Sequence, residues 1–400
     1  MRCVVKTLKA IFRRILLFIF FFFPVKKNRV VVSCFNGGGY SDNPKYIAEK
    51  LLEYNKFEII WLVKNINDNS IPSNIKKCLV SSYKAIYYLC TAGIWIDNCR
   101  KAFFYKKKNT LYIQTWHGGG AQKRVEKDVV ENLGPNYEKM AKKDSKQIDL
   151  FLSDSAFMTK LCRNSFWYDD RVLELGYPRY DGIFKAKDKT YFLKTLNLKS
   201  KDKLILYAPT FRKNHSLEVY NLDIDSVIKS FSSKFGVGHK LLLRLHPNIS
   251  FLSKKLNLGP DVIDVTDYPD FQDLVVFCDY VITDYSSVAF DFALLNKPSF
   301  RYAPDFEDYK KDRNFYFNFE EYPYPYALDN KGFSNLICNF DQNVYMCNVK
   351  QFLEKIGFKN LKNCSEIVAS IIHDYSINRL TKDKLFDKYS GYINMPREKL

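Results

Sequence analysis

The feature of this sequence that most constrains its fold is the alternation, from Arg29 onward, of short β-branched or apolar runs with helical stretches. This alternation is typical of parallel sheets whose successive strands are joined by crossover helices. A first series of runs comprises RVVVSC (29–34), FEIIWLV (57–63), GIWIDN (93–98), TLYIQTW (110–116) and IDLFLSD (148–154). A second series comprises KLILYAPT (203–210), HKLLLRLH (239–246), VIDVT (262–266), YVITD (280–284) and PSFRY (298–302).

These two series predict an α/β protein with two doubly wound, Rossmann-like domains, residues 29–190 and 191–400, that face a central cleft. The stretch 185–203 is rich in Lys, Asp and Thr and is the predicted linker. A chain of 400 residues with 46% hydrophobic content can supply two cores. Ligands of doubly wound domains bind beyond the carboxyl ends of the strands. The residues that follow each strand are therefore the candidate site.

Residues 1–28 form a separate segment that is both basic and apolar. No acidic residue occurs before Asp42. A helix over residues 4–15 would separate an apolar face (Val4, Val5, Leu8, Ile11, Phe12, Ile15) from a basic one (Lys6, Lys9, Arg13). The apolar run 15–23 that follows would reach about 14 Å as a helix, less than half the hydrocarbon thickness of a bilayer. We therefore predict a membrane-associating helix that enters one leaflet of an anionic membrane surface without crossing it.

Two alternatives exist for this N-terminal segment. A secretory signal would share the basic start, but Pro24 to Lys27 offers no small-residue cleavage site. A helix docked on its own domain would need a polar side, which nine consecutive apolar residues do not provide. We expect a peripheral protein on the cytoplasmic face of the cell membrane.

The overall charge favours acidic partners, because 62 Lys and Arg face 44 Asp and Glu, a formal net charge of +18. Anionic lipid and phosphorylated small molecules fit this sign. Nucleic acid does too, but no nucleic-acid-binding signature is present, so no nucleic-acid partner is expected. The ten cysteines include no CxxC pair, which predicts a reducing compartment without a disulfide framework or structural zinc.

Glycine-rich loops follow two strands of the first series. Asn36 and Gly37 belong to the first loop, and His117 precedes Gly118 and Gly119 in the second. Neither loop matches a Walker or dinucleotide-binding fingerprint. Glycine nevertheless lets a backbone approach a ligand closely, and the alternative for each loop is an ordinary turn.

Polar residues also follow the strands of the second series. Asp284 ends one strand and is followed by Ser286 and Ser287, where a helix N-terminus with two hydroxyls would attract an anion. A serine cap without any ligand is the alternative for this turn. Other strand ends of this domain carry Arg212, Arg244 and His246.

The segments QTWHGGGAQKR, YAPTFR, RLHPN and Thr283 to Pro325 resemble, in this order, the CDP-glycerol glycerophosphotransferase family of teichoic-acid synthesis, as does SDNPKYIAEKLLEYN near the start. The resemblance implies a GT-B fold. It also implies transfer of a polyol phosphate, most readily glycerol phosphate, from a CDP-activated donor to a membrane-bound, lipid-linked glycan acceptor, with release of CMP. The product would be a teichoic-acid or capsule-type polymer. One departure concerns His117, because the family motif looks like TWHGTP and here glycines replace its Thr and Pro. That departure leaves the acceptor open.

Site roles follow from the resemblance and from the chemistry of the transfer. His117 is assigned as the base, since imidazole is largely neutral at cytosolic pH. His246 is the second catalytic candidate. The predicted donor-binding residues are Arg212, Arg244, His246, Asp284, Ser286 and Ser287, and the predicted acceptor-loop residues are Asn36, Gly37, Gly118 and Gly119. Asp284 can instead orient its loop, because a carboxylate facing phosphate would repel it. We expect no metal and no cofactor, since helix N-termini with His and Arg can supply the positive charge.

Two other functions remain open at this stage. A sugar transferase of the same fold would use a nucleotide sugar and release a different nucleotide. A nonenzymatic lipid- or nucleic-acid-binding protein would use only the basic surface, and it would explain neither His117 nor the turn at Ser286.

Overall fold

The computed structural model describes residues 2–103, 105–120, 122–185, 187–212, 221–245, 249 and 259–395, with side chains from Ile11 onward. The chain forms two compact units. Unit 1 comprises Met1–His117, Glu126–Gly182 and Lys359–Leu400, and unit 2 comprises Gly118–Val125 and Ile183–Phe358.

The strands, in chain order, are β1 (Lys26–Ser33), β2 (Glu58–Val63), β3 (Lys76–Leu79), β4 (Ala92–Asp97), β5 (Leu111–Gln114), β6 (Leu150–Ser153), β7 (Val172–Glu174), β8 (Lys203–Tyr207), β9 (His239–Leu243), β10 (Val262–Asp264), β11 (Tyr280–Thr283), β12 (Ser299–Tyr302), β13 (Tyr326–Ala327) and β14 (Ile393–Asn394). The helices are α1 (Arg2–Phe21), α2 (Asp42–Glu53), α3 (Tyr83–Thr91), α4 (Pro135–Ser145), α5 (Ala156–Ser165), α6 (Pro178–Phe184), α7 (Thr190–Thr195), α8 (Ile224–Phe235), α9 (Phe271–Phe277), α10 (Val288–Leu294), α11 (Phe306–Asp312), α12 (Asn330–Cys338), α13 (Gln342–Ile356), α14 (Cys364–Ser376) and α15 (Lys382–Lys388).

Unit 1 is built on one sheet with the strand order β14-β7-β6-β5-β4-β1-β2-β3. Neighbouring strands are parallel except β14, which pairs antiparallel with β7. The order β3-β2-β1-β4-β5-β6 is that of a Rossmann domain, in which the chain changes direction across the sheet between β1 and β4. The carboxyl ends of β1 and β4 therefore flank the position where such domains bind ligands.

Unit 2 repeats this arrangement with six parallel strands in the order β10-β9-β8-β11-β12-β13. Its change of direction falls between β8 and β11. The segments after these two strands carry Thr210 and Asp284. Each unit thus has one topological switch point of its own.

The central strands carry runs of consecutive buried apolar residues because parallel sheets are covered on both faces. Val30, Val31 and Val32 of β1 are fully buried, and so is Trp95 of β4. The helices begin and end at local signals. Ser82 accepts the Ala85 N–H at the start of α3.

The N-terminal apolar segment contacts unit 1 by one side only. Leu17 of α1 is buried with Ile86 and Cys90, and Phe20 packs against this cluster. Phe18, on α1 as well, is 68% exposed. The helix therefore docks on its own domain through the side that carries Leu17, as the alternative interpretation expects. Much of the rest of the segment is exposed. Of the predicted basic face, Arg13 is exposed, and Lys6 and Lys9 lie outside the described side chains.

None of the helices in the described residues is both long and apolar enough to cross a membrane.

All ten strands expected from the sequence are present, each within three residues of its predicted start. The strands β3, β7, β13 and β14 were not predicted, because runs of two to four residues carry too little periodicity. The predicted linker is wrong in part. It contains α7, whose buried Phe192 packs on Phe277 of α9 at a ring distance of 4.8 Å.

The predicted domain ranges need two corrections. Unit 2 begins at Ile183, before the predicted boundary at 190, and residues 118–125 belong to it. Residues 359–395, assigned from the sequence to the second domain, are part of unit 1. The helix α14 packs there because Cys364 and Ser365 at its start donate their main-chain N–H groups to the Asp181 carboxylate.

Candidate active site

His117 lies just beyond the carboxyl end of β5, in a turn held by side chains of unit 1. The preceding residue, Trp116, has φ 54°, a left-handed conformation that is rare for a bulky residue. Its N–H donates to Gln114 Oε1 at 3.0 Å, and its carbonyl accepts from Asn43 Nδ2 at 3.0 Å. These two bonds stabilise the turn that presents His117.

The imidazole of His117 is oriented by a main-chain carbonyl. Its Nδ1 lies 2.6 Å from the oxygen of Asn98, which follows β4. A carbonyl can only accept, so Nδ1 carries the proton and Nε2 carries the lone pair of the neutral ring. The ring stacks on Trp116 at 4.5 Å and meets Phe35 edge-on at 5.4 Å. The result is the tautomer that a base at Nε2 requires.

A buried ionic network supports the His117 main chain. Arg179 Nη1 donates to the His117 carbonyl at 2.7 Å and to Asp42 Oδ1 at 3.2 Å. The other Asp42 oxygen accepts from Asn98 Nδ2 at 2.6 Å, and Asn98 Oδ1 accepts from the Phe35 N–H at 2.8 Å. These positioning residues were not predicted from the sequence. Their only signal was the family-like segment that begins SDNP.

The loop after β1 lies next to His117, since Phe35 touches its ring. Asn36 has φ 54° and is exposed, and Gly37 has φ 87°. A Cβ on Gly37 would come within 3.0 Å of the Lys64 nitrogen, which donates to the Gly37 carbonyl at 2.9 Å. Gly37 therefore has a structural reason to be glycine, whereas Asn36 is available to solvent near the imidazole.

The groups beneath His117 do not offer a thiolate nucleophile. Burial raises the pKa of the Cys99 thiol well above its usual value, and Asp97 and Asp42 add to this rise. Asp97 itself is buried and pairs with Lys101 at 2.6 Å, and burial raises its pKa. Cys99 is therefore a neutral thiol, 3.8 Å from Nδ1 of His117.

In unit 2, the carboxylate of Asp284 at the end of β11 accepts hydrogen bonds from both main-chain and side-chain donors. It accepts from Thr210 N at 2.9 Å, from Thr210 Oγ1 at 2.5 Å, from Arg212 Nη2 at 2.8 Å and from the Tyr285 N–H at 2.6 Å. These contacts match the orienting role considered for Asp284. They join the segment after β8 to the end of β11.

Arg212 is buried and held by two carboxylates. It bonds Asp305 through Nε at 2.6 Å and through Nη2 at 3.0 Å, Asp284 through Nη2, and the Thr210 carbonyl through Nη1 at 2.6 Å. Burial opposes its charge, but Asp284 and Asp305 outweigh burial and raise its pKa. Its guanidinium also lies over the Tyr285 ring, at 4.9 Å. Four of the five N–H groups of Arg212 therefore already have acceptors within unit 2. This indicates that Arg212 positions the surrounding loops more than it binds phosphate directly.

Arg244, after β9, is engaged in a similar way. Its Nη1 donates to the carbonyls of Val265 at 2.9 Å and Tyr268 at 2.6 Å. Burial lowers its pKa to about 10, with Asp270 opposing. Arg244 thus stabilises the loop after β10. His246, the second catalytic candidate, lies outside the described residues.

Ser286 and Ser287 lie between β11 and α10 and are both partly exposed. Ser287 occupies the N-cap position without a side-chain capping bond, and Ser286 Oγ accepts the Val288 N–H at 3.4 Å. The Ser287 hydroxyl is therefore not used to cap the helix, unlike Asp341, which accepts two N–H groups at the start of α13.

Gly118 and Gly119, predicted as acceptor-loop residues, belong to unit 2, whereas Asn36 and Gly37 belong to unit 1, and their acceptor role stays a prediction. Gly120 has φ 68°, and a Cβ there would lie 2.6 Å from the Phe290 ring of α10. The carbonyl of Gln122 accepts the Tyr316 N–H at 3.1 Å. Backbone contacts of this kind make residues 118–125 part of unit 2.

The described residues contain no group of His, Cys, Asp and Glu side chains that could hold a metal ion.

Two Rossmann-like sheets, each with a polar cluster at its switch point, define the class of α/β proteins with parallel sheets that includes GT-B-like transferases. A family model described as CDP-Glycerol:Poly(glycerophosphate) glycerophosphotransferase matches residues 15–373. The chain therefore belongs to this family, as the sequence motifs predicted.

Individual relatives agree with this assignment. The chain is 34% identical over 371 residues to the teichoic acid poly(glycerol phosphate) polymerase of Staphylococcus epidermidis, which covers 87% of this chain and 51% of that protein. It is 32% identical over 311 residues to the teichoic acid glycerol-phosphate transferase of Staphylococcus aureus, covering 74% of this chain and 79% of that one. The solved structure of the wall teichoic acid polymerase TagF is similar, with a TM-score of 0.81, 30% identity, and coverage of 94% of this chain and 97% of that chain.

The chain thus spans about half the length of the first of these relatives. The similarity to TagF confirms the predicted α/β fold with parallel sheets.

Proposed function

We propose that this protein transfers a polyol phosphate, glycerol phosphate in the first instance, from a CDP-activated donor to a lipid-linked glycan acceptor and releases CMP. The family membership and the relatives named for glycerol-phosphate transfer support the donor class. The product is a teichoic-acid or capsule-type polymer.

The observation that carries this proposal is the orientation of His117. With Nδ1 donating to the Asn98 carbonyl at 2.6 Å, the lone pair of the neutral ring is at Nε2. Such a nitrogen accepts the proton of an attacking hydroxyl. The turn at Trp116 and the Arg179 network keep the ring in place.

The reaction is an in-line displacement at the β-phosphorus of the donor. The acceptor oxygen forms a bond to that phosphorus, its proton passes to His117 Nε2, and the bond to the bridging oxygen breaks so that CMP leaves as an anion. The groups that bind the donor around that phosphorus must offset the negative charge of the diphosphate. Ser286, Ser287 and His246 bind it in this proposal, while Arg212, Arg244 and Asp284 keep the surrounding loops in position.

The acceptor loop in this proposal includes residues of unit 1. Asn36 is exposed beside Phe35, which contacts the His117 ring, so an acceptor hydroxyl near Nε2 would pass this loop. The Gly37 carbonyl, which accepts the Lys64 N–H, fixes the position of this loop. Gly118 and Gly119, which directly follow His117 in the chain, are also acceptor-loop residues in this proposal.

We also propose that the protein is peripheral on the cytoplasmic face of the cell membrane, where its lipid-linked acceptor is found. Support comes from the exposed aromatic side chains of the N-terminal segment, with Phe18 and Phe22 at 68% and 70% exposure. Apolar side chains in this number, beside Arg13 and Arg14, suit the interface of an anionic bilayer.

The test is a donor panel with mass spectrometry of all products. Purified protein is incubated with CDP-glycerol, CDP-ribitol or a UDP-sugar, together with a lipid-linked disaccharide acceptor in detergent. We expect CMP and an acceptor heavier by one or more glycerol-phosphate units. Release of UDP with sugar addition would assign the protein to the nucleotide-sugar transferases instead, and binding of lipid without any turnover would favour the nonenzymatic alternative.

A further inference from the structure

Residues 118–125 bring a lysine into unit 2 beside the segment after α11. Lys123 forms an antiparallel bridge with Phe315, and the neighbouring Arg124 N–H donates to the Asn314 carbonyl at 3.2 Å. In this antiparallel register Arg313 is opposite Val125, so Lys123 and Arg313 are diagonal neighbours on the same face of the pair. Neither residue is among the site residues predicted from the sequence.

Neither Lys123 nor Arg313 has a hydrogen bond, ion pair or ring contact from its charged group to any described residue. Both side chains are only partly exposed. Burial lowers the pKa of the Lys123 ammonium to about 8, Asp284 opposes this effect, and Arg313 and Arg212 add to it. The two cations are thus near each other and near the cluster at the end of β11.

Other buried cations of unit 2 do have partners. Arg301 lies under four aromatic rings and donates to the carbonyls of Phe319 and Tyr324 at 2.7 Å each. Arg212 uses both Asp284 and Asp305. Asp284 and Asp305 carry two negative charges, of which Arg212 balances one, so the two cations Lys123 and Arg313 exceed the remaining negative charge by one. Two partly desolvated like charges without partners are costly unless an anion joins them.

We propose that Lys123 and Arg313 together bind phosphate groups of a substrate, either the diphosphate of the nucleotide donor or a phosphodiester of the acceptor chain. This inference rests on the proposed function for the source of the phosphate. A guanidinium and an ammonium suit the shared chemistry, because the first makes two directed bonds to phosphate oxygens and the second acts as a compact charge.

The first experiment measures binding without turnover. Pyrophosphate, CDP and CDP-glycerol are titrated by calorimetry into the full chain and into the variants Lys123→Met and Arg313→Met, at low and moderate salt. We expect each variant to bind the diphosphate ligands at least 10-fold more weakly, with a smaller dependence on salt. Lys234→Met, a change at an exposed position of α8, is the matched control and should bind like the parent protein.

A second arm identifies the phosphate source. The Michaelis constants are compared for a lipid-linked acceptor that carries glycerol-phosphate units and for one that carries none. Weaker binding of CDP-glycerol by the variants assigns the pair to the donor. Unchanged donor binding with a raised KM confined to the phosphate-bearing acceptor assigns it to the acceptor chain.

The proposal is overturned if both variants keep parent affinity for every phosphate ligand and parent KM for both acceptors while thermal melting shows them folded. A variant that fails to fold is replaced by Lys123→Gln or Arg313→Gln, and amine labelling of Lys123 in the parent protein, with and without pyrophosphate, decides the same question. Equal labelling in both conditions, together with unchanged acceptor kinetics, overturns the proposal. If no CDP-polyol is turned over but the diphosphate affinities fall as expected, the proposed function fails and the binding site stands.

Discussion

At the scale of single residues, the candidate base is presented by a strained turn that its neighbours stabilise. Trp116 adopts φ 54°, and a non-glycine residue in this region costs about 1 kcal/mol or more. Asn43 and Gln114 bond its two main-chain polar groups. Side chains on α2 and on β5 thus hold a conformation that the local sequence alone would disfavour.

The first prediction concerns His117. Replacing it by Ala removes the proton acceptor, so we expect kcat to fall by about 10²–10⁴-fold while the affinity for CDP-glycerol stays within a few-fold. Steady-state kinetics and calorimetry measure the two quantities. His373→Ala, which removes an imidazole stacked on Tyr54 at 4.7 Å, is the control and should retain turnover. Near-parent kcat in His117→Ala would assign the imidazole a structural role.

The second prediction concerns Arg179, which contacts the His117 carbonyl and Asp42 but is not expected to touch substrate. Arg179→Lys keeps the charge and loses the planar two-sided donor. We expect kcat to fall about 10-fold or more with little change in donor KM, because the imidazole is displaced while the donor site in unit 2 is intact. The same change at Arg171, a partly exposed residue that pairs with Asp170, is the control. A changed donor KM with an unchanged kcat would refute the positioning role.

At the scale of secondary-structure elements, helix ends are stabilised from outside the helix as well as from within it. The clearest case is α9, whose last carbonyls have a lysine from the loop before β12 as their partner. Lys297 Nζ donates to the carbonyls of Val275 at 3.0 Å, Val276 at 2.6 Å and Cys278 at 2.8 Å. A cation at a helix C-terminus satisfies orphan carbonyls and interacts favourably with the helix dipole.

The third prediction is that Lys297→Met destabilises the protein by about 1–3 kcal/mol, since three partly buried carbonyls lose their donor while the aliphatic stem is kept. Denaturant unfolding followed by circular dichroism measures the free energy. Lys350→Met, in an exposed position of α13, should change the stability by less than about 0.5 kcal/mol. Equal stability of the two variants would contradict this prediction, because it would mean that water bonds the three carbonyls with no loss of unfolding free energy.

The fourth prediction concerns the N-terminal element. We expect the double change Phe18→Ser and Phe22→Ser to lower binding to anionic vesicles in a sedimentation assay by at least 10-fold, because the side chains proposed to enter the bilayer are lost. The docking contacts of Leu17 and Phe20 are untouched, so thermal stability should not fall. Leu17→Ala is the reverse control, with lower stability and retained vesicle binding. Parent-like vesicle binding by the double variant would dismiss the membrane role of this face.

At the scale of the whole molecule, stability depends on carboxyl groups buried next to the sheet of unit 1. Asp154, after β6, accepts from the Tyr180 hydroxyl at 2.8 Å. Burial raises its pKa to about 6, against the effects of Tyr180, Arg179 and Ser155. A raised pKa means that folding favours the protonated carboxyl. Its contribution to stability is therefore complete below about pH 4 and is lost as the pH rises through 6.

The fifth prediction is that Asp154→Asn gains stability relative to the parent as the pH rises from 4 to 7, by about 2–3 kcal/mol in total. The amide keeps an acceptor for Tyr180 and does not ionise. Urea unfolding at several pH values measures the difference. Asp383→Asn, at an exposed position of α15, should show no such trend, and parallel pH curves for Asp154→Asn and the parent would contradict the assignment.

Much of the architecture was readable from the sequence because parallel strands are continuous apolar runs. RVVVSC and YVITD became β1 and β11, and Asp284 fell at a strand end as predicted. The motif around His117 also identified the family. These features are local. A run of β-branched residues predicts a strand, and a family-like motif indicates the family, whatever the fold of the rest of the chain.

Only the tertiary structure decided which strand ends come together and what each polar side chain contacts. The order of the strands placed Asn98 against His117 and Thr210 against Asp284, although 19 and 74 residues separate these pairs along the chain. The tertiary structure also showed that Arg212 and Arg244 donate hydrogen bonds to carbonyls of neighbouring loops. It brings Lys123 and Arg313 onto the same face of a short antiparallel pair in unit 2. Such contacts depend on sheet order and on burial, which are properties of the packed chain and leave no periodic signal in the sequence.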